Sequence, residues 1–257
     1  MAQSGKLFLF PVPIAEGELS GVLPSLNAEL LAGLTLFFVE KTRTARRFIR
    51  ILCPEKDIAP IRFIEIGKRC VPSEIESGLK AIAQGASAGI LSEAGCPGVA
   101  DPGAEVVRKA HRLGIEVIPL IGPSSLLLAL MASGQNGQQF AFKGYLPRRD
   151  DELRSELKRL GERIARTGEA QLFIETPYRT QKLFETILTH CAKAFLLTVA
   201  SNLTGEGGFV RSYSIEDWRK HMTEHPIIAF IHPQHRRIFC CCSEQSLVVL
   251  NVAEVRC

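Results

Sequence analysis

The residues best suited to chemistry lie between Gly89 and Gly103. There GILSEAGCPGVADPG carries an apolar run into a loop with three glycines and two prolines, and then into a helix. Glycine tolerates positive φ and lets backbone N–H groups approach a ligand, while a helix N-terminus offsets negative charge. Asp101 and Pro102 suit the N-cap and first position of the helix EVVRKAHRL, which stops at Gly114. The chain here has neither G-x-x-x-x-G-K-[ST] nor G-x-G-x-x-G, so nucleoside triphosphates and the common dinucleotides are unsupported and another small ligand is implied.

A second stretch, EKTRTARRFIR from Glu40 to Arg50, sets five basic residues against one acidic residue. On a helix Arg43, Arg46, Arg47 and Arg50 recur at spacings of three and four and share one face, which suits the phosphates of RNA. The competing reading is a solvated helix face. Two patterns raise the question of a metal. HMTEH, His221 to His225, fits an inverted zinc-protease pattern, but Pro226 follows at once and opens an apolar run. His232, His235, Cys240, Cys241 and Cys242 lack the separated cysteines of tetrahedral sites. No metal is expected.

Such residues need a scaffold, and the apolar runs supply one. KLFLFPV from Lys6, LTLFFVE from Leu34, IRFIEI from Ile61, AGILSEA from Ala88 and IEVIPLIG from Ile115 alternate with amphipathic stretches. Their apolarity is continuous, which predicts strands buried on both faces of a helix-covered parallel sheet. The glycine loop then falls at the C-terminal end of a strand, where open α/β sheets bind ligands. GPSS at Gly122 to Ser125 breaks the rhythm and predicts a boundary: an N-terminal α/β domain over 1–121, a C-terminal α/β domain over 122–236 and an appendage over 237–257. The second domain reads FAFKG from Phe140, a charged helix from about Asp150 to Arg166, AQLFIET from Ala170, a helix after Pro177, AFLLTVAS from Ala194, GFVRSY from Gly208 and PIIAFIH from Pro226. Short connections there predict some antiparallel pairing. The last stretch, from His235, has three adjacent cysteines and fits neither rhythm; an extra strand pair, a flexible tail and a shifted reading frame stay open.

Composition bounds the class. The chain has 257 residues, 46% hydrophobic and 23% charged, as in ordinary globular proteins with room for two cores. A net charge of +4 is too small to name a nucleic-acid partner without local patches. No apolar run reaches the roughly 20 residues of a membrane span, and the first residues lack signal-peptide character, so a cytoplasmic protein with no membrane contact is expected. Of the eight cysteines, Cys53, Cys70, Cys96 and Cys191 are scattered singly, and reduced thiols are expected.

Five blocks in order resemble the tetrapyrrole methylase superfamily, and within it the branch of ribosomal RNA small-subunit methyltransferase I. They are FPVPIAE at Phe10 to Glu16, VEKTRTARR at Val39 to Arg47, LSEAGCPGVADPG at Leu91 to Gly103, PLIGPSS at Pro119 to Ser125, and FKGYLPRR followed by IETPYR at Ile174 to Arg179. The resemblance covers about residues 6 to 231. It implies two α/β domains with S-adenosylmethionine in the cleft between them, a homodimer, and methylation of a cytidine ribose 2′-hydroxyl in RNA. By match to its motifs the cofactor contacts are Pro13, Glu93, Ala94, Gly95, Val99 and Ser125, with Asn202 and Leu203 from the second domain. Backbone N–H groups would take the methionyl carboxylate, Glu93 the ammonium and Ser125 a polar edge. The arginine face, Tyr178 and Arg179 would meet the substrate. For the proton of the hydroxyl, Glu40 is the first choice and Glu175 the second, though either could orient an arginine instead. In-line positioning of a sulfonium leaving group supplies much of the rate without a strong base.

Some positions depart from the family pattern. Ile14, Ala15 and Glu16 stand where Ile-Gly-Asn is usual, Lys41 and Glu93 each stand where Asp is expected, and Cys96 where Thr or Asp is. SNLTG, Ser201 to Gly205, replaces Arg-Glu-Leu-Thr-Lys. Two alternatives follow: a methyltransferase of tetrapyrrole-like small molecules, and an RNA-binding module that keeps the cofactor pocket without catalysis.

Overall fold

The computed structural model describes residues 4–68, 70–224 and 246–252, the side chains of 222–224 and 246–252 excepted. The chain divides into two compact units, Met1–Ser124 and Ser125–Cys257.

The first unit runs β1 (Lys6–Phe10), α1 (Ser25–Ala32), β2 (Leu36–Val39), α2 (Thr42–Leu52), β3 (Arg62–Glu65), α3 (Pro72–Ala83), β4 (Ala88–Leu91), α4 (Ala104–Arg112) and β5 (Glu116–Pro119). Its sheet has the order β3-β2-β4-β1-β5, and every pairing is parallel. The continuous apolarity of β2 has a direct cause. Leu36 and Phe38 pack with Ile64, Leu79 and Ile90, whereas Phe37 and Val39 join a second cluster with Phe10, Leu31 and Ile49. Phe10, Phe37 and Phe38 are wholly buried, each contributing about 2 kcal/mol of transfer free energy. Gly89 makes room for two of them: a Cβ there would lie 2.7 Å from the ring of Phe37 and 3.0 Å from that of Phe10. All five strands run the same way, so their C-terminal ends share one edge.

The second unit runs α5 (Ser125–Ser133), β6 (Phe140–Tyr145), α6 (Asp150–Thr167), β7 (Ala170–Glu175), α7 (Pro177–His190), β8 (Phe195–Ser201), β9 (Phe209–Ser214), α8 (Ile215–Glu224) and β10 (Ser246–Val252). The sheet order is β6-β7-β10-β8-β9, with β6 and β7 parallel and the other pairs antiparallel. Phe173, Leu197 and Val199 face α6, α7 and α8, while Leu172, Ile174 and Ala200 face α5. Trp218 of α8 locks the first of these layers, donating its indole N–H to the Leu197 carbonyl at 2.6 Å and meeting Phe184 and Tyr213 edge-on. Ser246–Val252 falls in the stretch set apart on sequence as an appendage, and it forms the middle strand of this sheet. The run from Pro226, His225 of the HMTEH pattern, His232, His235 and Cys240 to Cys242 lie outside the described residues.

Among the described residues no helix is long and apolar enough to cross a membrane, and no group of His, Cys, Asp and Glu is placed to hold a metal. Cys53, Cys70, Cys96 and Cys191 are free thiols.

Candidate functional site

The C-terminal edge of the parallel sheet gathers the loops that follow β1, β4 and β5. Val12 and Gly95 exchange two backbone hydrogen bonds, of 2.9 and 3.0 Å, which fasten the first loop to the glycine loop. The Cys96 thiol reaches the Pro123 carbonyl at 3.5 Å, and a Cβ on Gly122 would meet the ring of Pro11 at 2.4 Å. Glycine is therefore required where these loops touch. Gly95 itself has φ +69° and leaves only 3.3 Å between an added Cβ and Ile14. The pairing brings Pro13, next to Val12, close to the loop that holds Ala94 and Gly95, and Val99 of that loop is 46% exposed.

The electrostatics of this edge hold two surprises. Glu93 is buried and its Oε2 accepts from Lys41 Nζ at 2.9 Å and from Thr44 Oγ1 at 3.2 Å. The carboxylate assigned on sequence to a ligand ammonium is engaged within the protein. The second concerns Asp101. Gly103, with φ +135°, takes the N-cap of α4, so Asp101 lies two residues upstream and caps nothing. Burial, helped by the charges of Glu40 and Glu93, pushes its pKa up to about 6 against the opposing pull of the Ala94 backbone and of Lys41. Glu40, half-buried at the end of β2, is also raised, by burial first and then by Glu93, with Lys41 and Lys68 acting against.

Three carboxylates thus share one neighbourhood with fewer cations, and a cationic small molecule would relieve the imbalance. The charge fits the sulfonium and ammonium of S-adenosylmethionine. Of the backbone donors, the N–H of Gly95 goes to Val12 and that of Val99 to Cys96.

Beside these carboxylates lies α2. Ala45 and Ile49 face the core, and Arg43, Arg46, Arg47 and Arg50 are all exposed on the other side. Arg46 lies over the Phe63 ring at 5.3 Å and Arg47 approaches Glu16 at 4.0 Å. Arg43 and Arg50 make no ion pair among the described residues, so their guanidinium groups are the more available. The helix begins under control: Glu65 at the end of β3 accepts the Thr42 N–H at 3.0 Å.

In the second unit β6, β7 and β8 run in one direction, and the remaining residues of interest cluster at their C-terminal ends. Glu175 has no solvent exposure; it takes the Thr176 N–H at 2.7 Å and pairs with Arg179 at 3.2 Å, while Arg179 also donates to the Pro147 carbonyl. Glu175 is thus buried beside Arg179, and its Oε2, the atom nearest that guanidinium, accepts no hydrogen bond. Tyr178 is 78% exposed. Asn202 adopts φ +48° in the turn after β8, where its side chain holds the Glu206 carbonyl, and Leu203 packs on the apolar layer under α5. Ser125 is the first residue of α5.

Comparison with known proteins places this arrangement. No protein-family model matches the chain. It is, however, 32% identical over 178 residues to the ribosomal RNA small subunit methyltransferase I of Bacillus subtilis, covering 69% of this chain and 57% of that protein. With the protein of the same name from Xylella fastidiosa it shares 28% over 204 residues, 79% of this chain and 70% of the relative. The chain is similar to these proteins over most of its own length. It spans about half the length of some relatives, 57% for the Bacillus protein and 49% for that of Haemophilus influenzae. Its fold is that of the tetrapyrrole methylases. The crystal structure of the methyltransferase CobJ aligns over 98% of this chain and 96% of its own, with a TM-score of 0.58 at 16% identity.

Proposed function

We propose that this protein is a methyltransferase that uses S-adenosylmethionine and acts on a ribose 2′-hydroxyl of small-subunit ribosomal RNA, as a cytoplasmic homodimer. The observation that carries the reading is the juxtaposition, within one unit, of a carboxylate-lined glycine loop and an exposed arginine helix. A negative pocket suits a small cation, a positive helix suits a polyanion, and an RNA methylase needs both side by side. The names of the relatives supply the substrate class.

When bound, S-adenosylmethionine supplies a sulfonium-activated methyl group. The protein's own residues then divide the work. Glu40 and Asp101 face the cationic ligand with their charge. Glu40, whose proton affinity is raised by burial, can also accept the proton of a hydroxyl presented at the end of β2, because a base is more effective as its pKa approaches the working pH. Arg43 and Arg50 hold the RNA backbone, so that the hydroxyl is oriented by phosphate contacts made to α2.

The test has two stages. Calorimetry in the presence of a chelator should show cofactor binding without added metal. Labelled cofactor should then methylate small ribosomal subunits or their naked RNA from cells lacking the gene, with the label mapped to a ribose. No heat and no thermal shift at millimolar cofactor would end the methyltransferase reading. Binding without transfer would favour the RNA-binding module, and transfer only to a tetrapyrrole would favour the small-molecule enzyme.

A further inference from the structure

The arginine helix and the glycine loop are joined by one ionic clasp. Lys41 occupies the N-cap position of α2 and Thr44 lies in its first turn, and both bind the same oxygen of Glu93, at 2.9 and 3.2 Å. The Glu93 side chain is 3% exposed and cannot swing into solvent without breaking the loop's packing, whereas that of Lys41 is 54% exposed. On the other side, Glu65 holds the Thr42 N–H. Strands β3 and β4 flank β2 in the sheet, so the start of α2 is gripped from both neighbouring strands. Of the two grips only Glu93 belongs to the loop that would meet the cofactor.

We propose that Lys41 and Thr44 are positioning residues which make the orientation of the arginine helix depend on the state of the glycine loop, so that the small cationic ligand and the polyanion bind with positive coupling. The inference rests on the functional reading above. Its physical basis is that Glu93 is two residues from Gly95, whose N–H and carbonyl are both fixed to Val12. A ligand seated on that loop settles Glu93, and a settled Glu93 settles the turn that carries Arg43 and aims the helix. By linkage the effect is reciprocal: whatever factor the cofactor adds to RNA affinity, RNA adds to cofactor affinity.

The experiment is a thermodynamic square on the full chain. The affinity for a ribosomal RNA fragment is measured with and without saturating S-adenosylhomocysteine, the reaction product, so that no turnover intervenes. The parent is expected to bind RNA about fivefold or more tightly with the product present, within the usual range of coupling between sites. Lys41→Met should bring that ratio close to one, Lys41→Arg should keep most of it, and Thr44→Val, nearly isosteric and less exposed to misfolding, should lower it part of the way. A purely structural role would change melting temperature or both affinities without changing the ratio. An undiminished ratio in Lys41→Met and Thr44→Val, or a parent ratio of one, overturns the proposal while leaving the methyltransferase reading intact. A parent that binds no S-adenosylhomocysteine at all overturns both, and that outcome is recognised before the square is begun.

Discussion

Replacing Asp101 by asparagine should make the protein more stable and its cofactor binding weaker. The carboxyl has a folded pKa of about 6 against an ordinary value of 3.8, so the native state binds more protons than the unfolded chain between those values, and stability falls as pH rises through that window. Above pH 6 the whole penalty is present. About two pK units correspond to about 3 kcal/mol at full strength, and partial exposure of Asp101 reduces this to about 1 to 2 kcal/mol. Asparagine keeps the size and polarity of the side chain and removes the charge that Glu40 and Glu93 oppose. At pH 7.5 the variant should therefore melt about 3 to 6 °C above the parent, with the gap closing toward pH 4. Cofactor affinity in the parent should rise between pH 5 and pH 7 as the carboxylate ionises, and that rise should be lost in the variant. Differential scanning fluorimetry across pH, paired with calorimetry of cofactor binding, reads both. An asparagine variant less stable than the parent at pH 7.5, or one with the parent's pH dependence of binding, would refute the reasoning. Gained stability with lost binding is the expected mark of a strained functional carboxylate.

Three further outcomes are expected. Gly95→Val places a β-branched side chain at φ +69° and 3.3 Å from Ile14, which should cost about 1 to 2 kcal/mol and lower cofactor affinity at least tenfold by calorimetry; unchanged affinity would put the pocket elsewhere. Arg43→Gln and Arg50→Gln should each flatten the salt dependence of RNA binding by about 0.7 to 0.9 of a unit in log–log slope, leave cofactor affinity alone, and keep the parent's circular dichroism. Glu175→Gln breaks a buried pair and should lower the stability of the second unit by about 2 kcal/mol, with any loss of turnover matching the loss of folded protein; a fall in kcat beyond that would return Glu175 to the list of proton acceptors.

Much of this fold can be read in the chain, because its evidence is local. The runs LFFV and AGIL are apolar without alternation since each strand has a core cluster on both faces, and burial on both faces is what a parallel sheet demands. The arginine face of α2 is likewise set by helical spacing alone. What escaped was tertiary. Asp101 precedes a proline and a helix and so resembles a cap, and nothing in its neighbours shows that β2 and β4 are adjacent and bring Glu40 and Glu93 near it. The engagement of Glu93 by Lys41 spans fifty-two positions and is equally invisible. Glu175 closes a strand and precedes Tyr178 and Arg179 in the matched block, as a catalytic acid might, and only the fold shows that it is buried beside Arg179. The strand Ser246–Val252 was hidden by its polar and cysteine-rich surroundings, although SLVVLNV on its own has ordinary strand character.

The lysine at position 41 is the departure that best explains the site. A cation at a helix N-terminus opposes the helix dipole, by about 0.3 to 1 kcal/mol when exposed, so Lys41 is a poor choice for α2 considered alone. It becomes a good one beside Glu93, whose buried carboxylate would otherwise lack its closest cation, and beside Glu40 and Asp101, whose mutual repulsion it offsets. An aspartate there, as the family pattern has, would change the local charge by two and add a further carboxylate to a crowded group. The longer reach of glutamate over aspartate at position 93 lets the carboxylate meet both Lys41 Nζ and Thr44 Oγ1 from the neighbouring strand. The residues at 41 and 93 act as one change: a positive charge at the start of α2 stands against a cluster of carboxylates, on the helix that a polyanion would approach.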